Sequence, residues 1–269
     1  MASPSAPAMK ERADKLMVGR ALAPSREKAQ ALIMAGLVTA GGGQPVLKPG
    51  QLVDSETELT VARPLPYVSR GWLKLEEALD RFGVAVEGRV AVDIGSSTGG
   101  FTDCLLQRGA ARVYAVDVDT KQLDWRLRRH PRVIAVEKNA RALVPADLPE
   151  TPDLVTMDVS FISVLKILPA LRAVPGSWAL LALIKPQFEA GRAEVGKKGI
   201  VRDPAVHAGV LERVVGEARE VGFGPAGLIR CSTRGQRGNV EFFVRWAKGR
   251  PGAGSVRVQA WIKEAVGHE

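Results

Sequence analysis

The sequence predicts an α/β fold: a mostly parallel, seven-stranded sheet that ends in an antiparallel hairpin, preceded by a small α+β domain. Three observations predict it. From Trp72 onward, short and almost wholly apolar runs alternate with helical segments, the rhythm of a parallel sheet covered on both faces. Towards the C-terminus two strand-like runs, 227–231 and 240–246, follow each other with only a polar turn between them, and strands joined without a helix pair antiparallel. Before residue 63 the pattern is instead two short helices followed by strands.

Taken in order, residues 1–9 read as a disordered tail without the charged start and apolar core of a secretory signal. Helices are expected over 12–20 and 26–34, the second with Ser25 at its N-cap, and Gly41, Gly42, Gly43 and Pro45 then turn the chain into a hairpin. Pro64 and Pro66 break regular structure and place a linker at 63–67 between a domain at 10–62 and one at 68–248. Beyond it the spacing predicts helices at 72–82, 100–108, 122–129, 164–174 and 205–221. Strands are predicted at 89–94, 112–118, 133–137, 154–158 and 178–184. Residues 249–269 read as a glycine-rich linker and a tail with a short helix from Val256.

Composition narrows the function. Lysine and arginine number 38 against 29 acids, a formal charge of +9, which suits a polyanionic partner, nucleic acid ahead of an anionic membrane. A basic but otherwise ordinary protein fits the same count. Cys104 and Cys231 lie far apart, and His130, His207 and His268 have no ligand spacing, so no disulfide framework or metal site is expected. The longest apolar runs, 31–40 and 178–184, fall short of the roughly 20 residues of a membrane span. A soluble, cytoplasmic protein is expected.

The first strand of the larger domain runs into Gly95-Ser96-Ser97-Thr98-Gly99-Gly100-Phe101. Glycines there permit tight turning and close approach of backbone to ligand, and the helix start favours an anionic group. The spacing is not that of a dinucleotide loop, and Asp93 at the strand end suits a cationic ammonium. Asp117, 24 residues further on at the end of the second strand, stands where an acid meets ribose hydroxyls. Asp93, Gly95, Ser96, Ser97, Gly99, Phe101, Asp117 and Asn139 are therefore the candidate binding residues for S-adenosyl-L-methionine, with a structural glycine turn as the plain alternative.

Lys74, Asp158, Lys185 and Glu241 fall at the edges of predicted elements, Glu241 within the last strand. They converge if ligands sit outside the carboxyl ends of the strands. Each alone has an ordinary explanation as a cap or an edge residue. Together they suit methyl transfer to a ribose 2′-hydroxyl, with Lys185 as base or hydroxyl-orienting group and the other three positioning it. The stretch Asp158-Val-Ser-Phe161 lacks the Pro-Pro-aromatic pattern of amino-group methylation, and no cysteine follows that strand to act as a nucleophile on a pyrimidine.

These residues resemble the TlyA (hemolysin A-like) family, ribosomal RNA 2′-O-methyltransferases that join an S4-type RNA-binding domain to an FtsJ/RrmJ-like, Rossmann-like catalytic domain. The resemblance spans about 12–248 and is carried by Ser69-Arg-Gly-Trp-Leu-Lys74, Asp93-Ile-Gly-Ser-Ser-Thr-Gly-Gly-Phe101, Asp158-Val-Ser-Phe-Ile-Ser163, Lys185-Pro-Gln-Phe-Glu189 and Gly238-Asn-Val-Glu241. It implies that Lys74, Asp158, Lys185 and Glu241 are catalytic, that cytidines of 16S and/or 23S rRNA, as free RNA or in ribosomal subunits, are the substrate, and that the S4-like segment binds RNA. Arg12, Arg20, Ser25, Arg26 and Lys28 are the candidates in that segment, and Asp14 and Ala29 match its pattern. The hairpin at 40–44 lacks the Asn-Gly turn usual in S4 domains. A basic stretch, Lys121, Arg126, Arg128, Arg129 and Arg132, extends the positive surface as an RNA footprint or as a solvated face. The rival readings are a membrane-active hemolysin and a non-catalytic RNA-binding or ribosome-binding module. Oligomeric state is left open, with a monomer favoured.

Overall fold

The computed structural model describes residues 10–267 apart from 24, 35, 62–68, 70, 197–198 and 236–237. The expected tail at 1–9 and linker at 63–67 lie outside the described residues. The chain divides into two compact units, Met1–Pro66 and Tyr67–Glu269.

The first unit contains β1 (Lys10–Arg12), α1 (Ala13–Gly19), α2 (Arg26–Met34), β2 (Val38–Ala40), β3 (Gln44–Pro45), β4 (Leu52–Asp54) and β5 (Leu59–Val61). β1 pairs antiparallel with β4, and β2 lies between β3 and β5. Met17, Ile33, Val38 and Leu59 form the centre of its core. Asp14, fully buried, receives Arg12 at 2.9 Å, Arg26 at 3.2 Å and Gln30 at 3.0 Å. That arrangement ties α1 to α2, and the Arg12 guanidinium above all holds the carboxyl well below the usual carboxylate range. β1 was not expected, because Lys-Glu-Arg carries no apolar alternation.

The second unit contains α3 (Gly71–Arg81), β6 (Val90–Ile94), α4 (Gly100–Gln107), β7 (Arg112–Asp117), α5 (Trp125–Arg128), β8 (Val133–Glu137), β9 (Leu154–Met157), α6 (Leu168–Ala173), β10 (Ala179–Ile184), α7 (Pro186–Glu189), α8 (Pro204–Glu220), β11 (Phe223–Arg230), β12 (Phe242–Lys248) and α9 (Ser255–Gly267). The seven strands stand in the order β11-β12-β10-β9-β6-β7-β8. Pairs from β10 to β8 are parallel, and β12 runs antiparallel to both β10 and β11. The fold class is therefore the expected one. Central β10 is buried along nearly its whole length because both faces are covered. On one face α6, α8 and α9 enclose Leu211, Phe223, Phe242 and Trp246; on the other, Phe101 of α4 stacks on Phe243 at 6.0 Å.

Several boundaries differ from expectation for local reasons. The helix expected over 164–174 opens as a 3-10 turn and becomes α-helical only at Leu168, since Pro169 fits the first turn of a helix and not its middle. The helix expected over 122–129 shortens to α5 after a 3-10 turn at 120–122. β11 starts at Phe223, four residues earlier than predicted, with an irregularity between Pro225 and Gly227; an edge strand tolerates a proline that a central one does not. Residues 255–267 are no tail. Val258, Ile262 and Ala265 of α9 are buried in the main core, and Ala253 donates its backbone N–H to Pro225 O at 2.7 Å.

Candidate active site

The site grows from the turn after β6. Gly95 adopts φ +82°, and a Cβ there would lie 2.4 Å from Asp158 O, so neither the backbone nor the space admits another residue. Gly99 caps α4 with φ +102°, and a Cβ on it would meet Leu127 Cδ1 at 2.2 Å. Between them Ser97 donates its backbone N–H to Asp117 Oδ2 at 2.8 Å. The glycine turn and the end of β7 are thus fixed to each other.

A cavity of about 640 Å³ opens there, lined by Gly95, Ser97, Asp117, Asn139, Asp158 and Phe161 among others. A smaller one of about 190 Å³ shares Gly95, Ser97, Asp158 and Ser160 with it and adds Ser69, Ser96, Phe101 and Lys185. The larger volume falls in the range of roughly 300–1,000 Å³ typical of small-ligand sites. Ser96 is buried, and among the described residues its hydroxyl has no hydrogen-bond partner. An unpaired buried hydroxyl, a glycine cradle and a carboxylate at the end of β7 suit a ligand with an amino acid end and a ribose.

Asp93 corrects an expectation. It is fully buried, accepts from Thr102 Oγ1 at 2.7 Å and Thr156 Oγ1 at 3.0 Å, and lines neither cavity. Burial pushes its carboxyl up to about 7 despite those two hydroxyls. Its place is beneath the glycine turn, as a brace between β6, α4 and β9, and not against a ligand's ammonium. Gly99 likewise lines neither cavity and shapes the turn from behind.

The four charged residues form two ion pairs. Lys74 Nζ, from the middle of α3, lies 2.6 Å from Glu241 Oε2, and Lys185 Nζ lies 2.6 Å from Asp158 Oδ1. Lys185 also donates to Ser160 Oγ at 2.9 Å. The sheet brings the two pairs side by side: Ile184, which precedes Lys185, is in register with Phe242, which follows Glu241. Glu241 stands just before β12 and not within it, and Cys231 N donates to its carbonyl at 2.9 Å. A Cβ on Gly235 would reach to 1.9 Å from Glu241 Oε1, so the turn before β12 closes directly over that carboxylate.

Ser160 and Phe161 were not among the candidates, although the stretch that contains them was singled out. Phe161 is 88% exposed with φ +64°, its ring 5.0 Å from that of Phe188. In the first unit, Arg12 and Arg26 are paired with Asp14, Arg20 donates to Ser55 O and Thr57 O, and Ser25 Oγ accepts from Lys28 N at 3.3 Å. Lys28 is exposed. Among the described residues no group of three His, Cys, Asp or Glu side chains is placed to hold a metal ion, and no helix is long and apolar enough to cross a membrane.

Residues 67–248, the span that holds both cavities and both ion pairs, match the model of the FtsJ-like methyltransferases. The chain belongs to the FtsJ-like methyltransferase family. It is an S-adenosylmethionine-dependent enzyme, and the glycine turn, Ser96 and Asp117 fit that cofactor. Similarity to characterised members extends beyond the matched span. The 16S/23S rRNA (cytidine-2′-O)-methyltransferase TlyA of Mycobacterium tuberculosis is 44% identical over 88% of this chain and 90% of its own. YqxC of Bacillus subtilis, named provisionally as an rRNA methyltransferase, is 52% identical over 87% of this chain and 85% of its own. A solved structure from Streptococcus thermophilus, named provisionally as a hemolysin, is 43% identical, covers 95% of both chains and superposes with a TM-score of 0.74.

Proposed function

We propose that this FtsJ-like methyltransferase moves the methyl group of S-adenosylmethionine to the ribose 2′-hydroxyl of cytidines in ribosomal RNA of one or both subunits, in the cytoplasm. The observation that carries the reading is the ion-paired Lys185, which lines the smaller cavity and is held by Asp158 and Ser160 of the wall shared by the two. The likeness to the M. tuberculosis enzyme over both units supports the substrate.

Bound S-adenosylmethionine supplies an electrophilic methyl on a sulfonium. Gly95, Ser96, Ser97, Asp117 and Asn139 would hold it, the Asp117 carboxylate being suited to ribose hydroxyls and the Ser96 hydroxyl to the amino acid end. Lys185 directs the acceptor oxygen and, as the neutral amine, would take up its proton while the new C–O bond forms and the methyl's C–S bond breaks, ending as the ammonium. Asp158 and Ser160 fix the position of that ammonium. Lys74 and Glu241, paired with each other one strand away, line neither cavity and act by positioning Lys185. Phe101 sets the floor through its stacking on Phe243.

Base methylation through a cysteine nucleophile is disfavoured by the thiols themselves. Cys104 and Cys231 are buried, and burial pushes both upward, Cys104 to about 12, whereas a nucleophilic cysteine needs a lowered pKa. Arg12, Arg20, Ser25, Arg26 and Lys28 serve RNA binding in part through the fold: Arg12 and Arg26 keep α1 and α2 together, and the exposed Lys28 carries free charge. Incubating the protein with rRNA and S-adenosylmethionine labelled in the methyl group tests the reading. Label in the RNA with the native chain, and none with Lys185→Ala at unchanged cofactor affinity, is the expected result. Full transfer by Lys185→Ala would refute the assignment.

A further inference from the structure

A third cavity, of about 410 Å³, lies in the second unit outside the site described above. Three arginines from three separate segments line it: Arg202 before α8, Arg230 at the end of β11 and Arg234 in the turn that leads to β12. Arg202 and Arg234 are exposed, and among the described residues neither forms an ion pair with a carboxylate; Arg234 donates only to Gly238 O at 3.3 Å. The nearby acid in sequence, Asp203, is engaged as the N-cap of α8, accepting from Ala205 N at 2.8 Å. His207, in the cavity wall, has its Nε2 3.1 Å from Val201 O and is pushed down by burial, so the positive charge belongs to the arginines.

The position of this cavity follows from the register. Arg230 pairs with Phe242, and Phe242 pairs with Ile184, the neighbour of Lys185. Neighbouring strands are about 4.8 Å apart, so Arg230 stands on the same sheet edge as Lys185, roughly 10 Å along it. A wall of the cavity is tied to the catalytic segment as well. Asn239, buried two residues before Glu241, accepts from Val201 N at 3.1 Å and donates to Gly199 O at 3.0 Å. Planar guanidinium groups converging on one space match the oxygens of a phosphate.

We propose that the cavity between Arg202, Arg230 and Arg234 binds a backbone phosphate of the RNA strand whose ribose is methylated, a nucleotide or two from the target. The proposal rests on the reading of RNA as substrate and adds a second anchor on the catalytic unit. It also predicts that RNA binding and the placement of Glu241 are linked through Asn239.

The test is the affinity of the full chain for deproteinised 16S and 23S rRNA as a function of salt, for the native protein, Arg202→Ala/Arg234→Ala, Arg202→Lys/Arg234→Lys, and Arg257→Ala/Lys263→Ala as an equal loss of charge on α9. Expected for the first variant are a dissociation constant raised about ten-fold and a slope of log K against log salt smaller by about 1, with S-adenosylmethionine affinity unchanged. The lysine variant recovers most of the affinity, and the α9 variant behaves as the native protein. Equal effects of the two alanine variants, or no effect of either, overturn the proposal. So does titration with inorganic phosphate that shows binding lost in Arg202→Ala/Arg234→Ala while rRNA affinity stays native, since that assigns the cavity to a free anion. Native protein that methylates rRNA while the variant binds it normally removes this inference alone; native protein that transfers no methyl to rRNA removes the functional reading and this inference together.

Discussion

Lys74 and Glu241, 167 residues apart in the chain, meet at 2.6 Å with the carboxylate 2% exposed and the lysine 14%. Removing one member of such a pair strands the other charge away from water, at a cost of about 3 kcal/mol. Lys74→Ala, which leaves Glu241 buried and unpaired, is expected to lower stability by about that amount, and Glu241→Gln by less, since the more exposed lysine regains water. Denaturant melts of the two variants check the order; a milder effect from Lys74→Ala would contradict it.

Asp93 predicts a pH dependence. Its carboxyl is raised from 3.8 to about 7 by burial, so between those values the folded chain holds a proton that the unfolded chain has released. Stability from this group is therefore full below about pH 4 and falls as pH rises towards 7. Asp93→Asn removes the titration, and its melting temperature relative to the native chain is expected to improve from pH 5 to about pH 7 and to level off above it. Parallel profiles for the two proteins would show that Asp93 is charged throughout.

α9 is a part of the core by its contacts. Ile262, 2% exposed, packs with residues of α8 and the sheet, and cutting a buried isoleucine to alanine typically costs 2–5 kcal/mol. Ile262→Ala is expected to lose about 3 kcal/mol in a denaturant titration, and deletion of 255–269 to yield protein that no longer melts cooperatively. Native stability after either change would return the segment to the status of a tail.

The first unit is expected to serve RNA and not the cofactor. Removal of residues 1–63 should weaken rRNA binding while calorimetry with S-adenosylmethionine gives the native affinity. Unchanged RNA affinity would reject a role for Arg20 and Lys28 at the RNA.

Much of this was legible in the sequence because it rests on local pattern. The apolar run 178–184 and the glycines from 95 to 100 announce a buried strand and a tight turn by residue type alone, and the order of elements then dictates a sheet edge where Asp158, Lys185 and Glu241 meet. Asp93 was misjudged because the same carboxylate at a strand end reads alike whether it faces a ligand or two threonines, and Thr102 and Thr156 become its neighbours only through folding. α9 was undervalued since the glycines at 249, 252 and 254 before it read as a flexible linker, and what Val258, Ile262 and Ala265 pack against is set only by folding. The arginine cavity had no signal at all: Arg202, Arg230 and Arg234 are scattered through the sequence, and the pairing of β11 with β12 and the bonds of Asn239 to Val201 and Gly199 gather them.

Nucleoside analysis of rRNA treated with the protein and labelled S-adenosylmethionine tests the central claim most directly. All label should elute as 2′-O-methylcytidine after complete digestion, and none should be found with Lys185→Ala. Label on a base, or its absence from the RNA, would contradict methyl transfer to a sugar at this site.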